Sequence, residues 1–250
     1  MTSDPKLWPE GYEKIVLRSV DSTNAEAARQ AAHLGRPTWI MAYDQTGARG
    51  RRGRPWHHPK GNFAATLVMR PGGVPGWAAL RSFLAANALF ETLALYAPRD
   101  ALALKWPNDV LLNGGKIAGI LLESAGNTGQ VDWRAIGVGV NLRQAPRPEP
   151  DSPFEPVSLE AEIGARVSQD EFLTLLAGHY ATEEMVLERL GFDPIRQDWL
   201  ERAAKLGEEI TARTGNKSVT GIFDTVDKDG HLVLITGTGP VKIPAADIYF

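Results

Sequence analysis

Residues 102–123 read LALKWPNDVLLNGGKIAGILLE, in which three short apolar runs are separated by Pro, Asn and Gly. Apolar runs of this length are typical of β-strands, and an Asn-Gly-Gly step is typical of a hairpin turn. The predicted strands are Leu102 to Lys105, Val110 to Leu112, Ile117 to Glu123 and Val131 to Leu142, with turns at Asn113-Gly114-Gly115 and Asn127-Thr128-Gly129. Short turns between successive strands favour an antiparallel meander.

Strands and helices are both predicted around this meander, which indicates a mixed α+β fold. Further strands are predicted at Lys14 to Val20, Thr38 to Ala42 and Asn62 to Arg70, and helices at Ala25 to Leu34, Trp77 to Tyr96, Ser168 to about Leu190 and Pro194 to about Leu206. From residue 207 the pattern changes to short strands, which predicts a small β-barrel: Glu209 to Thr214, Ser218 to Asp227, His231 to Thr236 and Val241 to Ile243. We therefore expect two domains, residues 1–206 and 207–250.

The charge balance and the absence of cysteine exclude several classes of protein. The chain of 250 residues has 27 Lys and Arg against 30 Asp and Glu, a formal net charge of -3, and no Cys. Without a global positive charge, we expect neither nucleic acid nor a membrane as a partner. Disulfides, thiolate nucleophiles and Cys-ligated zinc are excluded. No apolar run approaches about 18 residues and no signal peptide is recognisable, so the expected location is the cytoplasm.

One loop between two predicted strands concentrates arginine and glycine. Residues 47–54, called the Arg loop below, read GARGRRGR. Glycine lets the backbone approach a ligand, and the planar guanidinium suits phosphate or carboxylate, so the loop is typical of an anion-binding site. It is not a P-loop, because no Gly-Lys-Ser or Gly-Lys-Thr follows. The alternative is a solvated or RNA-binding Arg–Gly segment, although such segments usually recur in low-complexity sequence.

A second candidate site lies where a strand ends, in Lys105-Trp106-Pro107-Asn108-Asp109. Proline ends the strand and a cation, an amide and a carboxylate follow together. The alternative is an ordinary turn and a lysine packed on tryptophan. Lys116 is an isolated cation in an apolar strand, and taken alone it fits an edge-strand lysine equally well. Gly137 and Gly139 leave one strand face bare for a ligand or a crossing element, and Asn141 follows them.

Metal and nucleophile signals are missing from the sequence. His57 and His58 adjoin the Arg loop, but no third ligand lies at metal-site spacing, and His33, His179 and His231 are scattered. We therefore assign no metal site. The Arg loop also lacks a serine with a local base, which favours a reaction that needs no protein nucleophile.

Together these motifs resemble the biotin–protein ligases, also called biotin–[acetyl-CoA-carboxylase] ligases. The motifs are Ser22-Thr23-Asn24, Gln45-Thr46 with Arg49 to Trp56, Lys105 to Asp109, Gly115-Lys116 through Glu123, and Gly137 to Asn141. The resemblance is strong over about residues 14–142 and weak in the C-terminal module. It implies a biotin/lipoate ligase-like catalytic domain with a mixed sheet and an SH3-like β-barrel. About 13 residues precede the first predicted strand, too few for the helix-turn-helix of bifunctional members, so a monofunctional type is expected.

The resemblance implies a two-step reaction. Biotin and MgATP give biotinyl-5′-AMP and pyrophosphate, and a lysine ε-amine of a biotin carboxyl carrier domain then displaces AMP. ATP and Mg²⁺ are the implied cofactors, and the carrier domain of a biotin-dependent carboxylase is the implied partner. Family members are often dimers through the sheet, so a homodimer is compatible with the resemblance.

The resemblance also implies residue roles, because joining a carboxylate to an α-phosphate needs cations that compensate the developing charge. The implied catalytic residues are Arg49, Arg51, Asp109 and Lys116. The implied biotin-binding residues are Ser22, Thr23, Asn24, Gln45, Arg49, Gly50, Arg51 and Lys116. The implied nucleotide-binding residues are Arg51, Arg52, Arg54, Trp56, Lys105, Asn108 and Asn141, with Trp56 stacking on adenine and Asn141 reading its edge. For Asp109 two roles stay open, orienting the attacking amine or holding Mg²⁺ through water.

Two alternatives and one departure accompany the resemblance. A lipoate–protein ligase has a related fold and the same adenylation chemistry, but lacks the Lys-Trp-Pro-Asn-Asp stretch and this Arg loop. An RNA-binding module would use the Arg loop as a phosphate clamp, which the net charge of -3 disfavours. The departure is Gln45-Thr46-Gly47-Ala48, where the family usually reads Gln-Thr-Ala-Gly. Ala48 would be strained if its position needs a positive φ.

Overall fold

The computed structural model describes residues 8–70, 80–126, 131–148, 154–214 and 217–250. Strands in these ranges are β1 (Glu13–Val20), β2 (Thr38–Gln45), β3 (Phe63–Met69), β4 (Leu102–Lys105), β5 (Asp109–Leu112), β6 (Gly115–Ala125), β7 (Trp133–Val140), β8 (Glu209–Thr214), β9 (Lys217–Val226), β10 (Leu232–Thr236), β11 (Gly239–Ile243) and β12 (Asp247–Tyr249). Helices are α1 (Thr23–Gln30), α2 (Arg81–Leu93), α3 (Leu159–Ile163), α4 (Gln169–Leu190) and α5 (Phe192–Glu201). The predicted turn at 127–129 and the predicted helix start at Trp77 lie outside the described residues.

Within the described residues, seven strands form one mixed sheet in the order β1-β2-β3-β7-β6-β5-β4. β1 and β2 are parallel and connected through α1, and the other neighbouring pairs are antiparallel. The predicted mixed sheet and antiparallel meander are therefore confirmed. The edge-strand interpretation of Lys116 is wrong, because β6 is paired with β5 on one side and β7 on the other.

Helices α2 and α4 pack on one face of this sheet and enclose the main hydrophobic core. Phe172 of α4 lies against Phe63 of β3, with 4.9 Å between ring centroids. The opposite face holds a smaller cluster beneath α1, formed by Ala27, Ala31, Ile40, Val68 and Ala135. Helix α1 is short, so much of this second face is left for the site described below. None of the described helices is long and apolar enough to cross a membrane.

The last five strands of the described chain form a separate antiparallel sheet in the order β11-β10-β9-β8-β12. Its four longer strands agree with the predicted C-terminal β module. β12 was not predicted, because three residues are too few to show an alternating pattern. Closure of this sheet into an SH3-like barrel and the domain boundary at residue 206 stay predictions.

Helices α3 and α5 differ most from the sequence predictions. No helix was predicted at α3, a single turn that Ser158 caps by accepting a hydrogen bond from the Ala161 amide. α5 ends at Glu201 rather than near Leu206. The chain leaves the helix because the edge strand β4 takes its backbone: Leu104 donates to the Arg202 carbonyl at 2.7 Å, and Ala204 donates to Leu104 at 2.8 Å.

The core contact between α4 and β3 yields a stability prediction. Phe172 is fully buried, so Phe172→Ala should lower the free energy of unfolding by about 3–5 kcal/mol in urea denaturation. Met185 on the same helix is 42% exposed, and Met185→Ala should change this free energy by less than about 0.5 kcal/mol. Equal losses in the two variants would contradict the packing of α4 described here.

Candidate active site

A groove of about 480 Å³ lies on the sheet face that α1 leaves uncovered. Gly119 on β6 and Gly139 on β7 are directly paired, and Gly137 pairs with Leu121, so all three glycines face the groove. Side chains from α1, β2, the Arg loop and the C-terminal module complete its walls. The bare strand face predicted from the two glycines of β7 is thus present, and it is lined by polar and charged groups.

The glycines are required because other side chains approach the sheet closely here. A Cβ at Gly137 would lie 2.1 Å from the Asn24 Oδ1 atom, and a Cβ at Gly139 would lie 2.7 Å from the Trp56 indole nitrogen. A Cβ at Gly119 would lie 3.2 Å from the same indole ring. Two side chains therefore lie over the bare glycines, and a groove opens beside them.

One end of the groove is lined by uncharged polar groups at the start of α1. Ser22 caps the helix by accepting a hydrogen bond from the Ala25 amide, which fixes the next two residues at the groove wall. Gln45 at the end of β2 accepts from the Thr23 amide at 2.8 Å and the Thr23 hydroxyl at 3.1 Å. Thr66 lies beneath them, with its hydroxyl 2.7 Å from Asn24 Oδ1. This uncharged region is called the amide end below.

Glu123 joins the amide end to the Arg loop. Its carboxylate accepts from the Asn24 amide nitrogen at 2.8 Å and from the Arg49 guanidinium at 3.0 Å. Glu123 was not among the predicted site residues. It pairs with groups that are distant in the chain, 74 residues away in the case of Arg49, and no local pattern records such a pairing.

The other end of the groove is charged. Asp109, at the first residue of β5, lies between two ammonium groups: Lys116 Nζ is 2.6 Å from one carboxylate oxygen and Lys105 Nζ is 3.4 Å from the other. The predicted Lys105 to Asp109 motif and Lys116 are thus brought together. Phe154 covers Lys105, with 4.5 Å from Nζ to the ring centroid. We call this group the charged end.

Burial and charge oppose each other in this cluster. Burial alone would raise the pKa of the Asp109 carboxyl, but the positive charges of Lys116 and Lys105 outweigh it and hold the pKa below its usual value. Burial lowers the pKa of Lys105, and Asp109 opposes that shift. Asp109 is therefore an anion held between two cations. Both of its oxygens face ammonium groups of this chain, and the two roles predicted for Asp109, orienting the attacking amine or holding Mg²⁺ through water, stay predictions.

Arg51 and Asn108 connect the Arg loop to the charged end. Arg51 donates to Oδ1 of the Asn108 side chain at 3.1 Å. Burial lowers the pKa of the Arg51 guanidinium. Asn108 is itself fixed by Ile120, whose backbone exchanges two hydrogen bonds of 2.8 Å with it. The guanidinium of Arg51 is thus held by the residue that adjoins Asp109.

The rest of the Arg loop contacts the C-terminal module. Arg52 and Arg54 both bind Asp247 of β12, at 2.6 and 2.8 Å. Sequence analysis missed Asp247, which lies 195 residues from Arg52. Among the described non-glycine residues, positive φ angles occur at Arg52, Asn113 and Lys205, and Ala48 is not one of them. The exchange of Gly47 and Ala48 therefore introduces no strain.

The predicted site residues converge on the groove, with one exception. Those that line it are Ser22, Thr23, Asn24, Gln45, Arg49, Gly50, Arg51, Arg54, Trp56, Lys105, Asn108, Asp109, Lys116 and Asn141, whereas Arg52 does not. The Asn141 amide already donates to the Val157 carbonyl at 3.0 Å and accepts from Asn62 at 3.2 Å. Its side chain is thus held by protein partners at the groove wall, and its predicted contact with adenine stays a prediction.

A group with metal-ligand spacing in the described residues lies outside the groove, at Asp227, Asp229 and His231. Asp227 is already paired with Lys242 at 2.8 Å, and its second oxygen accepts from two backbone amides of the same turn. These contacts account for the cluster as a turn between β9 and β10.

The fold is that of the biotin protein ligases. The solved biotin protein ligase from Aquifex aeolicus in complex with biotin and ATP matches with a TM-score of 0.79 at 23% identity, over 94% of this chain and 98% of that chain. The model of the biotin/lipoate A/B protein ligase family matches residues 16–141, and that of the biotin protein ligase C terminal domain matches residues 205–250. The chain belongs to the biotin/lipoate A/B protein ligase family.

Sequence relatives place the chain more narrowly within this family. It is 50% identical over 238 residues to the biotin–[acetyl-CoA-carboxylase] ligase of Paracoccus denitrificans, over 94% of this chain and 99% of the relative. It is 32% identical over 235 residues to the bifunctional ligase/repressor BirA of Bacillus subtilis (strain 168), over 93% of this chain and 71% of the relative. The resemblance to biotin ligases inferred from the motifs is confirmed.

The lowered pKa of Asp109 predicts how stability depends on pH. A carboxyl whose folded-state pKa is depressed stabilises the fold above its unfolded pKa, and this contribution is lost as the pH falls through the folded value. The difference in unfolding free energy between the wild type and Asp109→Asn should therefore shrink below about pH 4. Urea denaturation at several pH values between 3 and 7 would measure it. Parallel curves for the two proteins would contradict the assigned direction.

Proposed function

We propose that this chain is an ATP-dependent biotin–protein ligase that adenylates biotin and transfers it to a lysine of a biotin carboxyl carrier domain. The observation that supports this best is the polarity of the groove, which has uncharged hydrogen-bonding groups at one end and cations around Asp109 at the other. Biotin has the same polarity: a neutral ureido head and a carboxylate tail. Groups placed to satisfy both ends orient the carboxylate toward the cations.

The ureido head binds at the amide end. Buried amide groups need partners, and Thr23, Asn24 and Gln45 supply short donors and acceptors that their neighbours already hold in place. Among the described residues the Gln45 carbonyl receives two hydrogen bonds from Thr23, which leaves its amide nitrogen for the ligand. The alkyl tail then extends through the groove beside the glycines, where Leu121 offers an apolar side chain on the same face of β6.

The reacting carboxylate meets the α-phosphate of ATP at the charged end. Joining two anions raises negative charge between them, and Lys116 and Arg51 are the cations held there by Asp109 and Asn108. Because these partners fix them before the substrates bind, little reorganisation is needed during the reaction. Asp109 acts by orienting Lys116.

Arg49 and Lys116 lie over different parts of β6. Lys116 turns toward Gly119, with its Cε 3.5 Å from the position of a Cβ there, whereas Arg49 is bound to Glu123. Four residues of a strand separate Gly119 from Glu123, which is about 13 Å. We therefore assign Arg49 to the biotin end, and Arg51 and Lys116 to the charge that develops in the reaction.

The nucleotide binds at and beside the charged end. Trp56 offers an indole face beside Lys116, 5.6 Å from Nζ to the ring centroid, and Lys105 and Asn108 line the same region. ATP enters as its Mg²⁺ complex, with the ion carried by the phosphates. The carrier lysine then attacks the adenylate. The absence of nucleic-acid binding, the oligomeric state and the cytoplasmic location stay predictions.

The test of the function is pyrophosphate exchange into ATP with the purified chain and no carrier domain. Exchange should require biotin, because biotinyl-AMP forms reversibly without a covalent enzyme intermediate. Lipoate is the matched control substrate and should not support exchange. Exchange with lipoate alone would instead identify a lipoate ligase, and an obligatory covalent biotinyl-enzyme would exclude the mechanism.

The assignment of Lys116 predicts a loss of rate rather than a loss of binding. Removing one preorganised charge from a transition state costs about 2.7–4 kcal/mol, so Lys116→Ala should slow single-turnover adenylation at saturating biotin by roughly two to three orders of magnitude. Gln45→Ala should mainly raise the KM for biotin. Lys228→Ala is the control, since Lys228 is an exposed lysine of the C-terminal module. A rate for Lys116→Ala within a few-fold of wild type would show that the assignment is wrong.

A further inference from the structure

Glu123 connects the start of α1 to the Arg loop. No other carboxylate among the described residues does so. One of its oxygens accepts from Asn24 Nδ2 at 2.8 Å, and the other accepts from Nε and Nη2 of Arg49 at 3.3 and 3.0 Å. It lies on the same face of β6 as Gly119 and Leu121, at the amide end. A single carboxylate thus connects the first turn of α1 to the first arginine of the Arg loop.

The contact with Asn24 fixes which way that side-chain amide faces. The Asn24 nitrogen donates to a carboxylate, which has no hydrogen to offer, and Asn24 Oδ1 lies 2.7 Å from the Thr66 hydroxyl. Reversing the amide would place its carbonyl against a carboxylate. Gly137 leaves the space this arrangement needs, because a Cβ there would meet Asn24 Oδ1 at 2.1 Å. Glu123 therefore sets the pattern of donors and acceptors at the amide end.

The contact with Arg49 holds the Arg loop against the sheet at the amide end. The other arginines of the loop are held farther along the chain, Arg51 by Asn108 and Arg52 and Arg54 by Asp247. Without Glu123, none of the described contacts of the arginine side chains would attach the loop to this end of β6. The pair is partly exposed, with 47% of the Arg49 side chain and 31% of the Glu123 side chain accessible. It can therefore open and close without unfolding the sheet.

We propose that Glu123 is a positioning residue that keeps the Arg loop closed over the biotin end of the groove through Arg49, and so retains the adenylate until the carrier lysine arrives. This inference rests on the proposed function, since it concerns the adenylate of that reaction. A mixed anhydride exposed to water is lost by hydrolysis, so a closed loop protects the product of the first step. Glu123 does not contact the reacting atoms in this scheme.

The test compares Glu123→Gln with a matched variant on the opposite face of the sheet. Glutamine has the same shape but an oxygen at only one of the two positions, so its NH2 group at the other position faces a donor of either Asn24 or Arg49 and one of the two contacts is lost. Glu91 of α2 has a similar exposure, 29%, and likewise accepts from two side chains, Arg99 and Arg202, so Glu91→Gln controls for the loss of an ion pair. The readouts are the release of labelled biotinyl-AMP without carrier, and trypsin cleavage within the Arg loop.

Glu123→Gln should release biotinyl-AMP and expose the loop to trypsin about three- to fivefold faster, the size expected for a partly exposed ion pair, whereas Glu91→Gln should match the wild type. The double variant Arg49→Ala with Glu123→Gln should release adenylate no faster than Arg49→Ala alone. Equal behaviour of the Glu123 and Glu91 variants, or additive effects in the double variant, would overturn the proposal. A wild type that forms no adenylate contradicts the proposed function, and the trypsin comparison then still decides whether Glu123 closes the loop.

Discussion

The bare face of β6 and β7 is the constraint on which the rest of the molecule depends. A sheet in a globular protein buries apolar side chains on at least one face, and here one face packs against α2 and α4 as expected. On the other face three glycines replace side chains that would stabilise the sheet by packing. The cost is a weaker sheet locally, since glycine contributes no side chain and loses more backbone entropy on folding. The main core on the opposite face offsets that cost.

The bare face also determines where charge has to be placed. A groove over a glycine-lined sheet is partly shielded from water, so unpaired cations in it would be expensive, and Asp109 offsets this for Lys105 and Lys116. Two cations share one anion, so the cluster keeps a net positive charge that an incoming carboxylate and phosphate can use. A second carboxylate beside Asp109 would stabilise the two lysines further, but it would also weaken the attraction for an anionic substrate. Two cations with one anion therefore bind an anionic substrate better than a fully neutralised cluster would.

Local patterns in the sequence predicted much of the fold and of the groove. Gly137 and Gly139 predicted the bare face, and the residues from Lys105 to Asp109 predicted a cluster of charge at a strand end. Each of these signals lies within a few residues of the feature it predicts. The antiparallel meander likewise followed from the short turns between its strands, whereas the mixed sheet was implied by the family resemblance.

Features that depend on distant segments were missed or misjudged. Lys116 looked equally suited to an edge strand, because nothing in β6 itself records that β7 pairs with it on the far side. α5 ended early because β4 binds the backbone that follows it. Glu123 and Asp247 were missed because their arginine partners lie 74 and 195 residues away. Strand order and ion pairs of this kind are properties of the folded chain, and no periodicity in one segment encodes them.

The Arg loop is bound by residues of both sheets, so both sheets contribute to one site. Its arginines are distributed among partners on different elements: Glu123 on β6, Asn108 beside Asp109, and Asp247 on β12 of the C-terminal sheet. An anionic substrate must compete with these partners for each guanidinium, so its affinity is a difference between two sets of contacts. Arg51 is bound by a neutral amide, whereas Arg52 and Arg54 are bound by a carboxylate. Arg51 is therefore the arginine that an anion can recruit at least cost, which agrees with its contact to Asn108 next to the charged end.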